Sequence, residues 1–333
     1  MGVLKIFEQN SLSLKLVPIS IRELFLLNKA PCDFYGFVDG LFHIIIKRDS
    51  SLNSKVFKNL IEQSHWKLFM TPVDREHISY LLQNELQKSA RSLSIGNIHS
   101  NIAHQSNLLT LSMGSLYNDP MNDSLLKLQF QAAKNLSSVL ISHKEDLKEF
   151  YADFEKQKHF FMLAHPLLSS MVFLGFLDSI KIFNEKEIEQ LFVTCYFKDI
   201  GMSFLPPELF TKKDLTEAEK DLIKEHASHS VNILKNRVPL HNNYLHVIAN
   251  HHCLNNFNNL AVSPKKNEEN YVIGLETVFM GLIDTIVAAT APRPFREKVS
   301  LFVVLDKLKE PVIKSYATEF KALVYFLRRF YLK

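Results

Sequence analysis

Residues 191–204 read LFVTCYFKDIGMSF, an apolar run that ends in a Lys-Asp pair and continues into Ile-Gly. The apolar run predicts a buried helix whose end brings the charged pair close to the core. A carboxylate beside apolar surface is costly unless it meets a cation, hydrogen-bond donors or a metal ion. Asp199 is therefore the first candidate site residue, and a helix cap or a buried ion pair is its other interpretation.

Three histidines and a second carboxylate lie downstream in similar surroundings. His226 lies on the apolar face of a predicted helix, and His251 and His252 follow an apolar run. Asp284 lies inside a very apolar predicted helix. Several imidazoles and carboxylates on the inward faces of a helix bundle can form a metal site. A hydrogen-bonded core residue is the alternative for each histidine, and a helix cap or ion pair is the alternative for the carboxylate.

The composition argues against several classes of protein. The chain has 333 residues, 47% of them apolar, which suffices for two domains with their own cores. Its 39 basic and 35 acidic residues give a net charge of +4, too little to indicate nucleic-acid binding.

Cys32, Cys195 and Cys253 form no Cys-x-x-Cys motif, which argues against a disulfide framework or a thiolate zinc site. The longest apolar stretch, 271–290, contains two carboxylates, so we expect a buried helix rather than a membrane span, and a cytoplasmic protein.

Short β-rich runs open the chain. They are rich in β-branched and aromatic residues and lie at 14–19, 33–38 and 41–47. Asp39-Gly40 between the last two is a hairpin signal. Residues 1–118 are therefore predicted to form a small α+β regulatory or sensory domain with a helical linker.

From about residue 73 onward the pattern is helical. Cap residues from Asn122 and a capping box from Thr216 to Glu219 mark helix starts. Residues 119–333 are predicted to form an all-helical bundle, so the expected fold class is mostly α.

The candidate residues occur in an order that resembles the HD-GYP domain, the metal-site fold that hydrolyses cyclic di-GMP. That family has an upstream His, then His-Asp-Ile-Gly-Lys, a His-bearing helix, His-His-Glu with a Gly-Tyr-Pro loop, and Arg-Pro-Tyr-Arg after an Asp helix. The matching positions here are His165, Asp199-Ile200-Gly201, His226, His251-His252, Asp284 and Arg293-Pro294-Phe295-Arg296. This resemblance implies an all-helical HD-type bundle with a two-metal site.

The resemblance also implies a role for each matched residue. One ion would be held by His165, Asp199 and Asp284. Asp199 would bridge to a second ion that is held by His226, His251 and His252. Arg293 and Arg296 would bind a substrate phosphate, and a solvated surface turn is the alternative for these two arginines.

Lys198 is the departure that matters most, because it replaces the His of the His-Asp pair. A charged ammonium has no lone pair and is not a metal ligand. At about 4 Å from a divalent ion, with an effective dielectric constant of about 20, it would meet roughly 8 kcal/mol of repulsion. Lys198 and the first ion are therefore expected to exclude each other. Lys198 either supplies its charge to Asp199 and Asp284 or points to solvent from a helix end.

Further differences from the family pattern affect positions that would contact the substrate. Met202 replaces the lysine after Gly, Cys253 replaces the Glu after the paired histidines, and residues 254–259 contain no Gly-Tyr-Pro. Pro166 follows His165 and disfavours α geometry there, which predicts that a new helix starts at this point.

The function expected from these changes is that of a cytoplasmic signalling protein with a degenerate HD-GYP domain. It would bind a nucleotide or a protein partner without two-metal hydrolysis, and would hold one divalent ion (Fe, Mn or Zn) or none. A cyclic dinucleotide, a signalling protein and a second copy of the chain are the expected partners. The alternatives are an active metal-dependent phosphodiesterase with an altered centre, in which Asp199 takes part in catalysis, and a structural helical interaction domain with an empty site.

Overall fold

The structure, a computed structural model, describes residues 16–65, 67–157, 159–210, 212, 214–252, 274–291 and 297–332. The chain forms two compact units that divide between Glu85 and Leu86. The first unit combines a small sheet with helices, and the second is helical wherever it has regular structure in the described residues.

The first unit is built on a four-stranded antiparallel sheet. In chain order, strands β1 to β4 are Val17–Ser20, Phe34–Val38, Leu41–Ile46 and Lys67–Met70. Their order in the sheet is β1-β4-β2-β3. The helices of this unit are α1 (Ile21–Leu24), α2 (Ser54–Glu62) and the beginning of α3 (Pro72–Ser92). This architecture confirms the prediction of a small α+β region before a helical bundle.

The hairpin between β2 and β3 follows from two residues. Asp39 and Gly40 have φ values of 50° and 81°, the left-handed conformation that a two-residue hairpin turn requires. Val38 and Leu41 therefore face each other as the first pair of the ladder. The Asp-Gly signal in the sequence predicted this turn correctly.

The second unit consists of packed helices. In chain order they are α4 (Ile98–Asn118), α5 (Asp123–Ser142), α6 (Leu147–Lys156), α7 (Phe161–Ile180), α8 (Glu185–Phe197), α9 (Glu217–Lys224), α10 (His226–Leu234), α11 (Asn242–Asn250), α12 (Leu275–Thr290) and α13 (Leu301–Leu332). Short 3-10 turns at Ile200–Phe204 and Pro207–Phe210 follow α8. The helix caps predicted from the sequence are confirmed: Asn122 accepts a hydrogen bond from the Leu125 amide, and Thr216 and Glu219 form a capping box.

Helix α7 lies at the centre of this unit. It packs against α4, α6, α8, α12 and α13, and residues from Leu167 to Leu174 are buried on all sides. Among the described helices, α7 alone is long and apolar enough to cross a membrane. Because most of it is buried against neighbouring helices, it serves here as a core helix. The predicted apolar helix that carries Asp284 is also buried, as α12.

The expected helix start at Pro166 is wrong. Helix α7 begins at Phe161 and continues through Pro166 to Ile180. Proline in this position costs one backbone hydrogen bond, and the burial of α7 against five other helices outweighs that local preference. His165 therefore projects from a continuous helix.

The compact units divide earlier in the chain than the predicted domain boundary between residues 118 and 119. Helix α4 lies in the second unit, where it packs against α5, α6 and α7. Its buried polar residues take part in that packing: the Gln105 side-chain amide donates to the Ala132 carbonyl at 2.8 Å. The proposed separation into domains at residues 118 and 119 stays a prediction.

Candidate metal centre

Asp199 lies at the junction between α8 and the 3-10 turn that follows it. The turn is pressed against α10: a Cβ on Gly201 would lie 2.0 Å from the His226 carbonyl oxygen, and the Gly201 amide donates to Ser230 Oγ at 2.8 Å. Tyr117 of α4 donates its hydroxyl proton to the Asp199 carbonyl at 3.3 Å. These contacts bring the Asp199 carboxylate to the N-terminus of α10, where His226 begins the helix.

Four ligand atoms converge at this point. They come from Asp199, His226, His251 and His252, and all lie within 4.8 Å of one another. His226 Nε2 is 3.4 Å from His251 Nε2 and 3.0 Å from His252 Nε2. Asp199 Oδ1 lies 3.4 Å from His226 Nε2 and 3.3 Å from His251 Nε2. We call this set the histidine group.

Backbone contacts fix two of these imidazoles as metal-ligand tautomers. His226 Nδ1 lies 2.5 Å from the Ile223 carbonyl, and His251 Nδ1 lies 2.6 Å from the Ile248 carbonyl. A carbonyl accepts, so the ring proton is assigned to Nδ1 and the Nε2 lone pair faces the centre. The Nε2 lone pairs of His226 and His251 then both face Asp199 Oδ1, which is itself a hydrogen-bond acceptor. A cation bound between these three atoms would satisfy all of them.

The spacing of the histidine group fits a small divalent ion. With Zn–N distances of about 2.0–2.1 Å in a tetrahedron, neighbouring ligand nitrogens lie roughly 3.3 Å apart. The four separations given above, 3.0–3.4 Å, match this value. Burial also lowers the pKa of His252 well below its ordinary value, with the neighbouring imidazoles adding to the effect. The neutral form is the one that binds metal.

A second group forms around Lys198, whose side chain is completely buried. Its Nζ contacts Asp199 Oδ2 directly and lies 2.8 Å from Asp284 Oδ1. His165 Nε2 lies 2.7 Å from Asp284 Oδ1 and 3.9 Å from Asp199 Oδ2. We call these four residues the lysine group. Lys198 therefore supplies its charge to both aspartates and does not point to solvent.

The charges of the lysine group support one another. Burial by itself would lower the pKa of Lys198, but the charges of Asp199 and Asp284 outweigh it and hold this pKa above its ordinary value. Burial would likewise raise the pKa of each carboxyl, and the Lys198 ammonium holds both well below their usual range. Desolvation and then the Lys198 charge lower the pKa of His165. The group therefore contains one cation, two anions and a neutral imidazole.

The two groups differ in their fit to metal. The histidine group presents four ligand atoms, and for His226 and His251 the backbone contacts turn the Nε2 lone pair toward the centre. In the lysine group, the oxygens that would bind an ion are already taken by an ammonium, and an ion there would lie within about 4 Å of it. The residues thus fit one ion in the histidine group and do not fit a second beside Lys198.

The structure brings His165, Asp199 and Asp284 into one cluster and Asp199, His226, His251 and His252 into another. His229 lies outside both groups: it is partly exposed, and its Nε2 is 3.7 Å from Glu225. Arg293, Arg296, Cys253 and the loop 254–259 lie outside the described residues, so their roles stay predictions. Tyr117 could not be predicted from the sequence, because its contact with Asp199 spans 82 positions and leaves no local pattern.

The architecture is a helical bundle that follows a small α+β unit. Among solved structures, the chain is similar to Bd1817, a HDG"Y"P protein from Bdellovibrio bacteriovorus, with a TM-score of 0.61 and 14% sequence identity over 94% of this chain and 100% of that chain. The chain therefore has the fold of an HD-GYP protein, as its motif order implied. No protein-family model matches the chain, and no curated protein matches it.

Lys198→Met tests the charge balance of the lysine group. Removing the ammonium leaves two buried carboxylates without their cation, so we expect a loss of about 3–5 kcal/mol in the free energy of unfolding, measured with urea in the presence of chelator. The control is Lys156→Met, which removes an exposed partner of Asp153 and is expected to change stability by less than about 0.5 kcal/mol. Equal stability of the two variants would contradict the assignment.

Gly201→Ala tests the close approach of the Asp199 turn to α10. The new Cβ would lie 2.0 Å from the His226 carbonyl and 2.5 Å from the Ser230 amide nitrogen. Because backbone atoms must move, we expect a loss of about 3 kcal/mol in unfolding free energy. Gly114→Ala is the matched control: its Cβ meets only Leu163 at 3.4 Å, and a gain of up to about 1 kcal/mol is expected in mid-helix.

Proposed function

We propose that this protein is a cyclic-dinucleotide signalling protein whose HD-type domain binds one divalent ion and does not carry out two-metal hydrolysis. The ion lies in the histidine group, and Lys198 takes the place of the other ion. One observation carries the proposal: the buried Lys198 ammonium contacts both Asp199 and Asp284.

Charge supports a single ion. The ammonium and the two carboxylates of the lysine group carry a net charge of −1, and one divalent ion raises the whole site to +1. A second divalent ion would raise it to +3 and would meet roughly 8 kcal/mol of repulsion from Lys198 at about 4 Å and an effective dielectric constant of about 20. Loss of the Lys198 proton is opposed by the same two carboxylates.

The arrangement suits binding better than hydrolysis. Two-metal hydrolysis needs ions on both sides of a bridging water. A single bound ion supplies a Lewis-acid contact for one phosphate oxygen. Lys198 is fully buried, so it orients Asp199 and Asp284 and does not reach a phosphate. Met202 also leaves the turn without the cation that the family places there.

A hydrolase with an altered centre is the second candidate. It is favoured by the completeness of the histidine group, in which the Nδ1 atoms of His226 and His251 are anchored on carbonyls. Titration of the full chain with cyclic di-GMP in the presence of manganese separates the candidates. Saturable binding with intact ligand supports the signalling module, whereas steady release of linear product supports the hydrolase. Absence of binding favours a protein-binding helical domain.

We further propose that the protein acts in the cytoplasm, with a signalling protein or a second copy of the chain as partner. Cys32 and Cys195 are buried and free, which suits a reducing compartment.

Metal content provides the first test. Protein purified without chelator is expected to contain one divalent ion per chain by elemental analysis, and His226→Ala is expected to reduce this to near zero, because removing one of four ligands greatly weakens a small-ion site. His229→Ala, three residues along the same helix and outside the group, is the matched control and should retain the ion. Two tightly bound ions in the wild type would refute the proposal.

Lys198→His provides a gain-of-function test. Replacing the ammonium by a neutral imidazole restores a ligand and removes the repulsion, so the manganese stoichiometry is expected to rise from one ion to two. The number of bound ions is measured rather than turnover, because turnover also depends on the residues that contact the substrate. Lys198→Met removes the charge without adding a nitrogen ligand and should bind the added ion more weakly. Failure of both variants to bind more metal than the wild type would show that Lys198 is not what excludes the second ion.

A further inference from the structure

A cavity of about 670 Å³ lies between α6, α7, α12 and α13. Gly175 and Asp178 of α7 line it. Asp178 is thirteen residues from His165, or about 20 Å along the helix axis. Cavities of roughly 300–1,000 Å³ are typical of sites for small organic molecules. The cavity is therefore distinct from the metal centre and has the size of a ligand site.

The inner wall of the cavity is apolar and aromatic. Leu147, Phe279 and Phe330 are buried side chains that line it, and Phe326 lies beside them. Gly175 lets Leu147 and Phe326 pack closely against α7, because a Cβ there would lie 2.8 Å from a Leu147 methyl and 3.0 Å from the Phe326 ring. An apolar chain or ring would remove this surface from water.

Two basic residues, Lys148 and Arg329, line the cavity where the start of α6 meets the end of α13. Lys148 Nζ is 3.5 Å from the Arg329 carbonyl oxygen, which places the start of α6 next to the end of α13. The Arg329 guanidinium lies 5.7 Å from the centre of the Tyr325 ring. Within the described part of the chain, neither cation has a carboxylate as an ion-pair partner. Their positive charge is available to a bound anion.

The acidic residues that line the cavity do not neutralise the positive charge of Lys148 and Arg329. Asp178 is neutralised by Lys144 and Lys181, whose Nζ atoms lie 3.0 and 2.8 Å from its Oδ1. Glu319 is ten residues from the basic end of α13, about 15 Å along the helix. Glu145 is exposed to solvent. The lining thus separates an apolar wall from a basic end.

We propose that this cavity is a binding site for an amphipathic organic anion, an apolar chain or ring that carries one carboxylate. The apolar part packs against Phe279 and Phe326, and the carboxylate contacts Lys148 and Arg329. The site is independent of the proposed metal centre, because none of these residues belongs to the histidine or lysine group.

Calorimetric titration of the full chain with decanoate tests the proposal. We expect saturable binding of one molecule per chain, and roughly tenfold weaker binding in each of Lys148→Gln and Arg329→Gln. Lys156→Gln removes an exposed cation of the same helix α6 and is the control that should bind as the wild type does. Ala322→Trp fills the cavity and should abolish binding; Ser179→Trp is a second filling variant, should the first fail to fold.

Further probes separate the chemistry of the tail from that of the head group. Acetate should not bind measurably, and decan-1-ol and decylamine should bind more weakly than decanoate. Binding of decanoate that survives both filling variants, or tighter binding of decylamine, would overturn the proposal. Metal content should be unchanged in every cavity variant, so that failure here is distinct from failure at the metal centre.

Discussion

The ion-paired contact of Lys198 with Asp199 and Asp284 is the interaction on which the rest of the site depends. Three charges are removed from water at this point, and each is tolerable only because the others are present. The contact joins α8 to α12, and His165 adds α7 through its own contact with Asp284. A buried ion pair of this kind is weak evidence for stability, but it strongly constrains which cations the site can accept.

The carboxylates of Asp199 and Asp284 differ in the side chains that they contact. One oxygen of Asp199 is held by the ammonium, and its other oxygen faces the imidazoles of His226 and His251. Asp284 faces only the lysine group in the described structure. Lys198 therefore occupies one half of the site and leaves the other half with a geometry suited to a metal ion.

Helices α7 and α12 carry both the site and the cavity at different points along their length. Near His165 and Asp284 they hold charges, and near Gly175 and Phe279 they line an apolar wall. The same bundle thus offers two chemically unlike environments, one built of buried charges and imidazoles and one that is largely apolar.

The sequence by itself determined the Asp39-Gly40 hairpin, the caps at Asn122 and Thr216 and the predominance of helix, because these depend on local spacing and turn chemistry. The resemblance in motif order selected the candidate site residues, whose roles stay predictions. Only the tertiary structure decided where Lys198 points, since its partner Asp284 is 86 positions away, counted from 198 to 284. It also decided that α7 continues through Pro166 and that α4 joins the helical unit, because burial against neighbouring helices outweighs local preference. Contacts between residues that are far apart in the chain produce no local sequence pattern. The sequence therefore left open whether Lys198 is buried or faces solvent, and the tertiary structure buries it.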